Sequence, residues 1–221
     1  MSDEYSEKQL SAVLATVDAW FEAFAKSPEF ARLSDSQRRK ADAITEFFAK
    51  YTYEYLAIAP NEWDCAAVEE CCTEILPRKV SAEISFFEAI APVLSAFFTF
   101  LEDQSLLLNG RVLAEALEHL GDEIVTNAED RSNWGPAKHF VMAAHEAGVD
   151  IRDPGALEAF MMKFNVRQAI RSSFASAMPS SWSFAPAQGS KQRESRAPLD
   201  RYAPCPCGSG KKYKFCCQQK G

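Results

Sequence analysis

Apolar positions recur along most of the chain at spacings of three and four residues. Leu10, Val13, Leu14, Val17, Phe21 and Phe24 form the first such stripe, the mark of a helix with one face turned to a core. Ile44, Phe47, Phe48, Tyr51 and Tyr55 form a second, with Ser34 or Asp35 as its N-cap. A third helix runs from a cap at Asn61 to Leu76, where Pro77 is expected to stop it. A fourth, capped by Ser81, carries Phe86, Phe87, Ile90, Val93, Leu94, Phe97, Phe98 and Leu101. Pro92 falls inside that pattern and predicts a kink or a division into two shorter helices. Asn109-Gly110 sets off a fifth helix with Leu113, Leu117, Leu120 and Ile124. A sixth starts near Pro136 and stops at Gly148, and a seventh opens at Asp153-Pro154 and carries Leu157, Phe160, Met161, Phe164 and Ile170.

No long alternating run of β-branched residues precedes the C-terminal tail, and no repeat of fixed period is present. The pattern therefore predicts an all-α fold, an irregular bundle of about seven helices, over residues 1–175. Over residues 176–203 Ser, Pro, Gln, Gly and basic residues replace the apolar periodicity, which predicts a flexible linker. Trp182 and Phe184 stand out there as candidates to dock on the helical body. Residues 204–221 make a small cysteine-rich module.

Composition adds class and compartment. A chain of 221 residues with 47% hydrophobic positions suffices for one packed domain and a small appendage. No apolar run approaches the ~18 residues that span a bilayer, so no transmembrane segment is expected. The opening MSDEYSEKQL lacks the basic-then-apolar order of a secretory signal, and a cytoplasmic protein is expected.

The net charge of -7 conceals an asymmetry. From Ala187 onward there are eight basic and two acidic residues, a local +6; the preceding residues carry 16 basic and 29 acidic, a local -13. A basic tail on an acidic body can reach a partner that the body would repel. The plainer alternative is that the lysines only keep the tail soluble and offset thiolate charge.

Seven cysteines without a secretion signal argue against a disulfide framework, and four of them fall within thirteen residues at the C-terminus. The spacing is C-x-C, eight residues, then C-C. Zinc takes four soft or borderline ligands in a tetrahedron, with Zn–S near ~2.3 Å. Cys205 and Cys207 can turn toward one ion across a tight knuckle, Gly208-Ser209-Gly210 lets the chain return, and Cys216-Cys217 supplies the second pair. One zinc ion is expected, with iron as the alternative. A redox pair is the competing reading of the same thiols. Four protein ligands leave no open position for a substrate, so the site reads as structural. So short a tail has almost no core, and metal binding must supply most of its folding free energy, on the order of 10 kcal/mol. A phosphate-loop reading of Gly208-Ser209-Gly210-Lys211 fails, because the earlier Gly, the Ser or Thr after the Lys and the preceding strand are all missing.

The segment from Cys205 to Cys217, CPCGSGKKYKFCC, resembles the SEC-C motif found at the end of the SecA translocase ATPase and in smaller YecA-like bacterial proteins. The resemblance implies that Cys205, Cys207, Cys216 and Cys217 are the metal ligands; Cys217 stands where SecA often has His. It implies further that the basic loop is a recognition surface, as SecA's module is for the chaperone SecB, so a chaperone or translocation component is the expected partner. Lys211, Lys212, Tyr213 and Lys214 would then make the contact. No SecA-like motor fits in this length and no phosphate loop is present. The helical part resembles no family by sequence, and its arrangement before the motif is similar to the YecA-like proteins in layout only.

Other candidates read as structure. Cys65, Cys71 and Cys72 lie on the third helix as small buried hydrophobes, and Cys65 and Cys72 could share a face. His119, His139 and His145 are too dispersed for a metal signature. Asp122, Glu123, Glu129 and Asp130 fit a solvated helix face. The Phe stripe from Phe86 to Phe100 fits core, with a groove for a partner's apolar segment as the alternative. Arg78 and Lys79 follow a helix end, where the helix dipole favours cations. The resulting expectation is a non-catalytic docking or adaptor protein. The alternatives are an RNA- or ribosome-binding protein that stacks Tyr213 or Phe215 on bases, and an enzyme with its site in the helical body.

Overall fold

The computed structural model describes the backbone of residues 7–177 and the side chains of residues 7–166. The chain divides into two units, Met1–Arg167 and Gln168–Gly221. The described residues are helical and contain no strand, so the fold is all-α. The predicted linker and cysteine module, including Trp182 and Phe184, lie outside the described residues.

The order is α1 (Glu7–Phe24), α2 (Pro28–Arg32), α3 (Asp35–Tyr51), α4 (Cys65–Glu69), α5 (Leu76–Lys79), α6 (Ile84–Asp103), α7 (Gly110–Glu118), α8 (Gly121–Glu129), α9 (Pro136–Glu146) and α10 (Pro154–Ala177). A π turn, Thr52–Leu56, extends α3, and a second, Glu70–Ile75, joins α4 to α5. The seven predicted helices are all present. The short α2, capped by the Ser27 hydroxyl, was not foreseen.

Capping explains where several helices start. Ser34 is the N-cap of α3: its hydroxyl accepts from the Gln37 N–H at 3.3 Å, and the Gln37 side chain accepts from the Ser34 N–H at 2.8 Å. The third predicted helix starts later than expected, because Asp64 rather than Asn61 caps it, accepting from Ala67 N–H at 2.7 Å. The fourth is preceded by Glu83 rather than Ser81, with no side-chain cap.

Pro77 does not stop the third helix, which continues to Lys79. The π turn before it has already broken the regular ladder, with the Leu76 N–H bonded to Cys71 O. The Thr73 carbonyl, to which a residue at 77 would normally donate, instead accepts from the Asn127 side chain at 2.9 Å. Pro92 does not divide the fourth helix either: α6 runs unbroken through it. The carbonyl that Pro92 cannot engage belongs to Glu88, which is exposed. The fifth predicted helix is two, α7 and α8, interrupted at His119-Leu120. Leu113 and Leu117 on one piece, and Ile124 and Ala128 on the other, are all buried.

The centre of the bundle is α6, packed by α1, α2, α3, α7 and α8. Ten of its residues are buried, among them Ile90, Leu94, Phe97 and Phe98. Phe24 meets Phe97 and Phe100 with ring centres 5.3 and 5.5 Å apart, and Phe48 meets Trp63 and Phe98 at 4.9 and 5.5 Å. Such tilted and edge-on pairs add to the burial of large apolar area. The helix α7 crosses α6 so closely at Gly110 that a Cβ there would lie 2.1 Å from Phe98 O. Gly110 is therefore required by the helix crossing, beyond its role in ending a loop.

By length and composition α6 is long and apolar enough to cross a membrane, which corrects the expectation that no such stretch exists. It passes the test because it is the core helix: 56% of its most apolar stretch is buried inside the protein.

Candidate metal centre and the chemistry of the helical body

Cys205, Cys207, Cys216 and Cys217, with Lys211, Lys212, Tyr213 and Lys214, lie outside the described residues. Among the described residues no three His, Cys, Asp or Glu side chains are placed to hold a metal ion. The donor set of the tail, four thiols and no carboxylate, fits zinc by its chemistry.

The cysteines of the body separate by environment. Cys71 and Cys72 are fully buried, and Cys65 is exposed. Cys65 and Cys72 therefore do not share a face; the wider π turn between them shifts the register that an α-helix would have kept. Burial pushes the Cys71 thiol up to about 12 and the Cys72 thiol well above its usual range, so neither is a thiolate at neutral pH. The Cys71 thiol points to Phe48 O at 3.8 Å. Both behave as the small core residues expected from the sequence.

The histidines are scattered. His119 and His145 are exposed, and His139 stacks on Trp134 with ring centres 5.5 Å apart. Asp122, Glu123, Glu129 and Asp130 are all exposed, as a solvated face requires. Asp130 caps the turn after α8, and its Ser132 hydrogen bonds hold its carboxyl below the usual range. The Phe stripe is core. Lys79 sits over the Tyr55 ring at 4.9 Å in the last turn of α5, and Arg78 lends its carbonyl to the Gly135 N–H. A shallow depression of about 250 Å³ lined by Val13, Thr16, Trp20, Pro60 and Asn61 contains no titratable side chain.

One buried group escaped the sequence reading. Lys138 on α9 is 2% exposed. Its ammonium donates to Pro77 O at 2.7 Å and faces the rings of Phe87 and Trp134 at 4.6 and 4.9 Å. Burial pulls it down to about 8. A lysine in a helix is ordinarily placed outside; the aromatic Trp134 one turn earlier is the only local sign of another environment.

Comparison with known proteins decides the tail. A SEC-C motif matches residues 203–219. The chain carries a SEC-C motif. The Protein translocase subunit SecA of Wolinella succinogenes is 59% identical over 34 residues. That alignment covers 15% of this chain and 4% of the SecA subunit, so the likeness is confined to a short segment. No solved structure matches the chain. The motif takes in the four tail cysteines and the lysines between them.

Proposed function

We propose that the protein is a non-catalytic docking protein, an all-α body carrying a SEC-C module that recognises a protein partner. The observation that supports this reading most is the SEC-C match over residues 203–219, on a four-cysteine spacing suited to one structural zinc ion. Cys205, Cys207, Cys216 and Cys217 would hold the ion, leaving none of its positions open to substrate. The ion's contribution is to fix the fold of a segment too short to bury a core. Lys211, Lys212, Tyr213 and Lys214 would then offer three cations and one aromatic side chain to the partner. The SecA likeness makes a chaperone or translocation component the first partner to test.

Metal analysis of the purified chain tests the first half: one zinc per chain is expected, and four freely titratable tail thiols with no bound metal would sink it. Capture of partners by the full chain and by a chain ending at Ala203 tests the second. The partner is expected to be lost with the tail, and identical partners for both forms would remove the recognition role.

The tail's local charge of +6 favours RNA as a second reading. Binding would then be steeply salt-dependent and would weaken on Tyr213→Ala. The absence of any RNA complex at low salt would end it.

A further inference from the structure

Lys138 has no part in the reading above, and its surroundings are unusual. Its ammonium is enclosed by α5, α6 and the turn before α9, and among the described residues no carboxylate is paired with it. One proton goes to Pro77 O, and the rings of Phe87 and Trp134 give π attraction that offsets part of the lost hydration and brings no negative charge. Loss of water alone lowers its proton affinity, and the charged groups on the surrounding elements add nothing to that; Arg131 is itself paired with Glu146 of α9. Arg78 and Lys79 follow Pro77 on α5, Arg131 lies over the Trp134 ring at 5.3 Å, and His139 stacks on that ring. On α6, the neighbouring Glu88 is exposed. Sequestering an ammonium from water without a counter-ion favours the neutral amine, which still has a proton for Pro77 O.

The position of this group gives the imbalance a consequence. Lys138 sits in the first turn of α9, and its bond to Pro77 O, with Gly135 N–H to Arg78 O at 2.9 Å, ties α9 to α5. Trp134 is held in turn by Ala128 O at 2.8 Å. We propose that Lys138 is a protonation-controlled latch on α9: its charged form loosens the attachment of α9 to α5, and its neutral form seats it.

The direction in pH follows. The folded group, at about 8, lies below the ordinary lysine value of 10.5. Below about 8 the amine is charged whether α9 is seated or open, and the full cost of burying the charge is present. Between about 8 and the ordinary value the open form keeps the proton that the seated form sheds, so seating strengthens as pH rises. The steepest dependence for one proton is about tenfold per pH unit.

Amide exchange of α9 in the full, metal-loaded chain, divided by the intrinsic chemical rate at each pH, reads the latch. Protection of Pro136–Glu146 is expected to rise on the order of tenfold between about pH 7.5 and 9.5, and to stay flat in Lys138→Met and Lys138→Gln. Protection in the native chain that does not change with pH overturns the proposal, as does a rise that persists in both variants. Should neither variant fold, NMR titration of the lysine side chains in the native chain decides. A lysine titrating in step with the protection is expected, and all lysines titrating at ordinary values would overturn it.

Discussion

The helical body and the cysteine-rich tail solve the same problem by opposite means. The body holds itself together by burying Phe24, Phe48, Trp63, Phe97 and Phe98 around α6, with side-chain caps at the starts of α2, α3 and α4 and the Asn127 amide on the Thr73 carbonyl. The tail, with a local +6 and four thiols among few apolar residues, cannot fold by burial. In the reading proposed above, an ion does there what dozens of side chains do in the body. The difference teaches that damage to one region should leave the other's stabilising force intact, because the two do not share an energy source.

The largest effect tests that separation. Chelation, or Cys216→Ser with Cys217→Ser, is expected to abolish zinc binding and remove on the order of 10 kcal/mol of folding free energy from the tail. The thermal unfolding of the body should keep its midpoint; a shift of many degrees would show the two regions to be coupled. Next comes the core. Phe24→Ala removes a ring packed on four others, and a loss of about 3–5 kcal/mol is expected in denaturant unfolding, with zinc content unchanged. Gly110→Ala pushes a methyl toward Phe98 O and should cost about 1–3 kcal/mol as α7 is displaced from α6. An Ala variant as stable as the parent would mean that the two helices separate freely at that crossing. The smallest effect is at the surface: Ser34→Ala removes one half of a capping box and should cost about 1 kcal/mol in the same assay.

The parts of the body that were legible in the sequence are those where a local rule meets no competitor. The Ser34 and Gln37 pair declares its helix start, and the Phe stripe of α6 declares its core face. Legibility fails where a distant residue supplies what the local chain lacks. Pro77 reads as a stop, yet Asn127, fifty residues away in the chain, takes up the carbonyl that the proline and the π turn release. The fifth helix reads as one because Leu113, Leu117, Leu120 and Ile124 keep a single period, and no proline marks the interruption at His119-Leu120. Lys138 was invisible for the same reason: its partner is a carbonyl on α5. The proposed metal ligands, in contrast, lie within thirteen residues of each other, so the chemistry that suggests the site is written locally.

The burial of Cys71 and Cys72 gives the chain a built-in tally of its own integrity. Of the three body cysteines only Cys65 meets solvent. A thiol reagent applied to the native, metal-loaded chain should count Cys65 alone. After chelation it should count Cys65 and the four tail thiols, and in denaturant all seven. Each region's collapse thus adds its own step to one colourimetric reading, so metal loss and core unfolding can be told apart in a single cuvette.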